Sequence, residues 1–529
     1  MPSPLITRIA SIALLACLNL ASVTALASNS CVSAPQGRLC ADSRFFRDDR
    51  GRVVILRGVN LAGNSKVPPF LALPKFGDPD ATPAGYNEVD PAAYSFTEHT
   101  DTSELDLLPA IGVNVIRLVF NWEAFEPTKE KRNPLYLDML QRIAEEAWKR
   151  GIFTIIDFHQ DLFSRFLASG CGDGFPRWAI PSDIIPVNPK NDASCLLWQA
   201  IGNFPINDPN ANWKRAFVAL YEDREGLKDK YLAMIEAVST RFAHQDGLLG
   251  YDLINEPYSG SDEADLRTFY PSIASTIREV DSTAIMFVEP SAASSLGAPT
   301  HLDTTPITTG NVVYAPHFYD LPVMLPFGGY TGAAGSVSAF SHMTNTASKW
   351  GVPLFLGEYG APSRATNVQD YIETLNSLLN QSFASGAQWN YTPGWACETL
   401  DGWNSEDLSI VDEHLQIRKQ LFLVRAYPQN VSGVPKSLQS ESSDSARCLR
   451  FAWQNDPALS GETVFFVGRS PSAGVKLTIE PSSAPQGDLK CILAANGLQL
   501  MCRSMTPGLK GLGLSYGTPF GRCVGDSAK

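Results

Sequence analysis

Leu248-Leu249-Gly250-Tyr251-Asp252-Leu253-Ile254-Asn255-Glu256-Pro257 is an apolar run that ends in an amide, a carboxylate and a proline. Such continuous hydrophobicity suits a strand covered on both faces, as in a parallel sheet. Pro257 has no N–H to give to a ladder, so strand pairing stops there and leaves Glu256 at the carboxyl end. Pro353-Leu354-Phe355-Leu356-Gly357-Glu358-Tyr359-Gly360 repeats the plan. Working outward, Val53–Leu61, Val113–Phe120, Ile152–His159, Ala284–Pro290, Asn311–Tyr319 and Gly386–Tyr391 read as further strands. Between them, Leu135–Arg150, Glu225–Phe242, Glu263–Val280, Ser336–Trp350 and Val368–Ser385 read as amphipathic helices. In the first of these, Leu137, Leu140, Ile143, Ala144 and Ala147 fall on one helical face. Eight strands alternating with helices predict the α/β class and a (β/α)8 TIM barrel. A doubly wound sheet is the rival, but Arg57-Gly58-Val59-Asn60 on the first strand is no phosphate-binding glycine turn.

The chain has 529 residues, 44% hydrophobic and 18% charged, which describes a folded protein of more than one domain. From Ser437 onward the pattern changes. Cys448–Trp453, Glu462–Gly468, Val475–Glu480, Lys490–Ala494 and Leu498–Arg503 are short runs between Gly, Pro and Ser turns, which predicts a β-sandwich. The division expected is a barrel over 28–436 and a C-terminal β-sandwich domain over 437–529. The sandwich carries no catalytic set, and its roles as buttress or as contact for sugar or membrane stay open. A net charge of -13 argues against nucleic acid or an anionic membrane surface as electrostatic partner.

Residues 1–27 read as a signal peptide: Arg8, an apolar middle over Ile9–Val23, and Ala25-Leu26-Ala27 as cleavage site. The mature protein is then secreted. Leu14-Leu15-Ala16-Cys17 also fits a bacterial lipoprotein box, which would anchor it through an acylated Cys17. In an oxidising compartment most remaining cysteines pair. Cys31–Cys40 and Cys171–Cys195 are the expected bridges. Cys448, Cys491, Cys502 and Cys523 staple the C-terminal region in an order left open, and Cys397 is left a free thiol. No C-x-x-C pair and no His at ligand spacing supports a zinc reading.

In a barrel the carboxyl ends of the strands form the site. Those ends carry Asn60, Arg117, His159, Asn255, Glu256, Glu289, His317, Tyr319, Glu358 and Trp389. Glu256 and Glu358 make the pair that acetal cleavage needs: one carboxyl protonates a leaving oxygen while the other attacks the reacting carbon. The polar ring and a Trp face suit a hydroxyl-rich ligand. Glu289 is assigned no chemistry beyond that of a structural acceptor.

Asn255-Glu256-Pro257, Glu358, Arg117 and Trp389 together resemble the retaining β-glycosidases of glycoside hydrolase clan A, family 5. Three stretches are similar, within that family, to the endoglycoceramidases, which cut the oligosaccharide–ceramide bond of glycosphingolipids. They are Asp157-Phe158-His159-Gln160-Asp161-Leu162-Phe163-Ser164-Arg165, the run Asp401–Ile410, and Arg425-Ala426-Tyr427-Pro428. The resemblance implies Glu256 as acid/base and Glu358 as nucleophile, with Arg117 keeping Glu358 ionised and Tyr319 hydrogen-bonded to it. Asn255 would hold the hydroxyl beside the anomeric carbon. Lys66, His159, Asp161 and His317 would grip sugar hydroxyls, and Trp389 would floor the subsite at the scissile bond. It implies a monomer that needs no metal or cofactor. A family 5 β-glucanase or β-glucosidase is the alternative enzyme, and a non-catalytic sugar-binding barrel the alternative from another class. Glycan preference and any need for detergent or activator are not legible.

Two long connections are expected to be functional. Residues 161–215 carry Phe163, Phe166, Phe175, Trp178, Trp198, Phe204 and Trp213. Residues 320–330, rich in Leu, Met, Phe and Pro, lie at the rim and would either dock on a bilayer or acyl chain, or pack under their neighbours.

Overall fold

The computed structural model describes residues 34–62, 66, 102–190, 194–195, 211–443, 445–470, 475–483 and 487–517. The expected signal peptide, Cys31, Trp198, Phe204 and Cys523 lie outside the described residues.

Eight parallel strands form one sheet: Arg57–Leu61, Val115–Asn121, Phe153–His159, Leu248–Asp252, Ile285–Val288, Val312–Tyr314, Phe355–Leu356 and Ser385–Tyr391. They pair in chain order, and the eighth pairs with the first. Bridges Tyr314↔Leu354 and Phe318↔Tyr359 join sixth to seventh and close the cylinder. The second strand is buried along its whole length, as expected of a mostly apolar strand in a parallel sheet, and Arg117 is buried with it. Gly250 lets the fourth strand abut the fifth, because a Cβ there would collide with the backbone of Ile285.

Helices Pro134–Lys149, Leu227–Phe242, Ala264–Val280, Ala334–Trp350 and Val368–Ser382 fall where the periodicity places them. Helix Asn212–Tyr221, which begins at the end of the expected long loop and runs past it, does not. The fourth strand stops at Asp252 rather than Glu256, so the acidic tip stands on a short irregular segment beyond the ladder.

The domain boundary differs from 436/437. Strands Cys40–Asp42, Phe45–Arg47 and Val53–Val54 join Tyr427–Val431, Thr463–Phe466, Gln499–Arg503 and Lys490–Leu493 in one seven-stranded sheet. Gly433–Ser442, Arg447–Asn455, Gly508–Tyr516 and Leu477–Ser483 make the facing four-stranded sheet. Val53, Phe465 and Leu500 share a core with Leu449, Trp453 and Leu512, which makes the two sheets a sandwich. Chain from both termini therefore builds it. The N-terminal hairpin also plugs the barrel: Leu39, Ala41 and Phe46 pack with Val115, Ile155, Leu249, Ile285, Val313, Phe355 and Ala387, one residue from each of the second to eighth strands. With that floor closed, the carboxyl-end face is left for a ligand.

Cys171–Cys195 is bridged as expected and Cys491–Cys502 is a second bridge. Cys40 and Cys448 are also disulfide-bonded, and Cys397 is a free, exposed thiol.

Candidate active site

Arg117, on the second strand and wholly buried, is the hub. Its guanidinium donates to Glu358 Oε1 at 2.7 Å, Asn255 Oδ1 at 2.8 Å, Asp252 Oδ2 at 3.0 Å, Asn60 Oδ1 at 3.0 Å and Glu289 Oε1 at 3.1 Å. Asp157 Oδ1 lies 2.9 Å away. Burial works against the Arg117 charge, but Asp157, Asp252, Glu358 and Glu289 override it and hold its proton far more tightly than usual. One guanidinium cannot neutralise four carboxylates, so protons make up the balance: burial and then Glu289 drive Asp252 well above the ordinary carboxyl range.

Glu358 sits beyond the seventh strand. Tyr319 donates its hydroxyl to Glu358 Oε2 at 2.8 Å. Burial opposes ionisation of Glu358, yet His317, Arg117, His159 and Lys66 outweigh it and hold the carboxyl below its usual range. Across from it, Glu256 Oε1 lies 3.0 Å from His317 Nδ1. A carboxylate oxygen of Glu256, a ring nitrogen of His317 and a carboxylate oxygen of Glu358 lie within 4.8 Å of one another. The carboxyls therefore meet at a spacing that admits one reacting carbon and no intervening water.

Glu256 has φ 36°, a left-handed backbone that a residue with a Cβ adopts only when its surroundings impose it. Its N–H donates to Glu289 Oε2 at 2.8 Å, and its carbonyl accepts from Gln160 Nε2 at 3.1 Å. Asn255 is locked on both sides, accepting from Arg117 and donating Nδ2 to the Gln160 carbonyl at 3.0 Å.

A second polar group lies alongside. Lys66 Nζ donates to Asp161 Oδ2 at 2.5 Å and stands 3.7 Å from the Trp403 ring centre and 4.5 Å from that of Trp389. His159 Nδ1 meets Asp157 Oδ2 at 2.7 Å, and its ring stacks on Trp389 at 5.6 Å between centres. Burial opposes charge on Lys66 and on His159, but Asp161 on the first and Asp157 on the second raise both above their usual values. Asp173 accepts the Asp161 N–H at 3.0 Å; burial and the Asp161 charge push its carboxyl up to about 8. Trp403 and Glu406 belong to a loop shaped by Asp401, which accepts from Asn390 and from the Leu408 and Ser409 N–H groups.

These groups open into one cavity of about 670 Å³. Lys66, Asp161, Glu256, Glu358, Trp389 and Trp403 line its polar part; Trp213, Phe217, Leu296, Leu321, Met324 and Leu325 line an apolar part. The 320–330 segment divides. Val323 and Tyr330 are buried, while Leu321 and Leu325 are partly exposed and Phe327 fully so. Phe163, Phe166 and Phe175 of the other long connection are core residues, and Trp213 reaches the cavity.

Sequence reasoning thus placed Lys66, Arg117, His159, Asp161, Asn255, Glu256, His317, Tyr319, Glu358 and Trp389 in what is one connected cluster. His317 departs from its expected contact with sugar hydroxyls: its side chain has no exposed surface, and Glu256, Glu289 and Glu358 surround it. Asp157, Asp252, Asp173, Trp403 and Glu406 were given no role, although alternation along the strands points Asp157 and Asp252 inward with Arg117. Among the described residues, three groups have metal-ligand geometry: His159–Asp161–Asp173, Asp252–Glu289–His317 and Glu256–His317–Glu358. Lys66 sits on the first and Arg117 on the other two, so protein cations already meet their charge.

Residues 80–394 match the cellulase (glycosyl hydrolase family 5) profile. The chain is 24% identical to Endoglycoceramidase I of Rhodococcus hoagii (strain 103S) over 448 residues, covering 79% of this chain and 78% of that protein. It is 31% identical to the Endoglycoceramidase of Cyanea nozakii over 219 residues, 36% of this chain and 43% of the relative. Among solved structures, the ganglioside GM3 complex of Endo-glycoceramidase II from Rhodococcus sp. superposes with a TM-score of 0.67 at 23% identity, covering 89% of this chain and 98% of the other. A crystal structure of an endogalactoceramidase superposes with a TM-score of 0.62 at 21% identity, over 90% and 99%. A barrel with a carboxyl pair across its mouth and a profile match over more than half its length make this chain a member of glycosyl hydrolase family 5.

Proposed function

We propose that the protein is a retaining endo-β-glycosidase that hydrolyses the oligosaccharide–ceramide bond of glycosphingolipids. One observation carries the reading: a single cavity joins the carboxyl pair to an apolar wall of Leu296, Leu321, Met324, Leu325 and Phe217. A glycan chain needs no such wall, whereas a lipid leaving group does. The relatives bearing the name endoglycoceramidase point the same way.

Glu358, held ionised by Arg117 and His317 and oriented by the Tyr319 hydroxyl, attacks the anomeric carbon. Glu256 protonates the ceramide oxygen as it leaves, then takes a proton from the water that releases the sugar. Two inversions at one carbon retain its configuration. Asn255 holds the neighbouring hydroxyl, Lys66, His159 and Asp161 hold the others, and the Trp389 face carries the sugar's C–H surface. His317 acts on the carboxyls rather than on the sugar.

Phe327, Leu321 and Leu325 present apolar surface at the rim and dock on the bilayer that holds the substrate. The protein is secreted, a reading supported by its disulfides. Incubation with a mixed glycosphingolipid pool tests the function: intact oligosaccharides and free ceramide appear together. Release of single sugars with ceramide-linked remnants contradicts it.

A further inference from the structure

We infer that Glu289, at the end of the fifth strand, is a positioning residue for proton delivery, bracing Glu256 both through its main chain and through His317. The inference rests on Glu256 being the acid/base of the reading above. Glu289 has 1% of its surface exposed and does not line the cavity, so it touches no substrate. It nevertheless reaches Glu256 by two routes. Oε2 accepts the Glu256 N–H at 2.8 Å. Oε1 lies 3.1 Å from His317 Nε2, and the opposite nitrogen of that ring lies 3.0 Å from Glu256 Oε1.

The backbone explains why a brace is needed. Glu256 is held at φ 36°, and the Glu289 carboxylate on its N–H and Gln160 on its carbonyl are what fix it there. Without the first contact the segment relaxes and carries the carboxyl off line.

The chemistry of the contacts sets the ring. The Glu289 carboxyl accepts from the Glu256 N–H and the Arg117 guanidinium, and it lies at ion-pair distance from His317 Nε2 without hydrogen-bond alignment. Asp252 faces it from the fourth strand, and Glu358 faces His317 from beyond the seventh at 3.6 Å. From helix Ala264–Val280, the Tyr270 hydroxyl donates to the Glu289 carbonyl at 2.7 Å. Burial opposes a charged His317, but Glu289 leads the carboxylates that raise its affinity for a second proton. A doubly protonated ring donates Nδ1–H to Glu256 Oε1, so the proton bound for the leaving group travels on Oε2.

Glu289→Gln tests this, since it keeps the volume but turns one acceptor into a donor. Two substrates with the same sugar separate proton delivery from everything else. One has an alcohol leaving group that must be protonated; the other has 2,4-dinitrophenolate, which leaves without a proton. The expected result is a fall in kcat/KM of about 100-fold on the first, the scale of general acid catalysis, and less than about 3-fold on the second. Equal losses on both, or no loss on either, overturn the inference. Glu256→Gln run alongside must show the same split; if it does not, the acid/base assignment itself has failed, and that result is distinguishable. Where Glu289→Gln does not fold, side-chain 15N shifts of His317 in the intact protein decide: Nε2 carries a proton at neutral pH, and a bare Nε2 overturns the inference.

Discussion

At its closed end the cavity is built from charge, and at its mouth from hydrocarbon. Around Arg117 four carboxylates and two amide oxygens converge with almost no exposure, and Asp252 Oδ1 and His317 Nε2 are buried there without a hydrogen-bond partner. At the rim, Leu321 and Leu325 are partly exposed and Phe327 fully so. The difference teaches where precision is needed. Bond breaking requires donors and acceptors set in advance, because reorganising them during the reaction would raise the barrier. Gripping a lipid needs only area, and area tolerates slack.

Substitutions that break the comparison rank by which end they strike. Glu358→Gln removes the nucleophile and is expected to lower kcat by at least about 10⁴-fold on every substrate while the protein stays folded. Product release by reversed-phase chromatography measures it. Arg117→Met leaves buried carboxylates without their cation, and is expected to cost about 3–5 kcal/mol of stability in denaturant unfolding. An unchanged midpoint would mean that protonation alone neutralises the hub. At the rim, Phe327→Ser removes one exposed ring, and vesicle partitioning is expected to fall about 10-fold, the loss of one apolar anchor of about 1.5–3 kcal/mol only partly buried. Unchanged partitioning removes the docking idea and leaves the chemistry untouched.

A pH-dependent effect lies between the two ends. Asp173 keeps its proton up to about 8 in the folded chain, whereas unfolded Asp releases it near about 3.9. The folded state then binds more protons in that window, so this group's contribution to stability is full below the unfolded value and is lost as pH rises toward 8. Asp173→Asn mimics the neutral acid. Its melting temperature relative to the parent is expected to rise by a few degrees between pH 4 and pH 8, read by scanning calorimetry. A constant difference would place an ionised carboxylate at Asp173.

The charged end was the more legible in sequence. Glu256 and Glu358 each follow a mostly apolar run, and proline or glycine marks where the strand must stop, so position alone selected them. Arg117 reads in the sequence as a strand-end residue; it lies instead in the middle of Val115–Asn121, a strand buried along its whole length. Asp157 and Asp252 sit in equally apolar runs yet gained no role, because what makes them matter is a partner on another strand: they are register neighbours that meet at Arg117. The same non-local logic hid the plug. Cys40–Asp42 and Phe45–Arg47 are too short to announce strands, and the hairpin they form joins the rest of its sheet only through Val53–Val54, whose other partner, Tyr427–Val431, lies at the far end of the chain. The 320–330 run shows a further limit. Its composition is apolar throughout, but only tertiary packing decides that Val323 turns in and Phe327 out.

The central claim is that Glu358 forms a bond to the sugar while Glu256 manages the proton. A 2-deoxy-2-fluoro-β-glycosyl fluoride slows both steps but loses its fluoride without a proton, so it traps the covalent species. Peptide mass spectrometry of the inactivated protein is expected to find one glycosyl adduct, on Glu358. An adduct on any other residue, Glu256 included, would contradict the account.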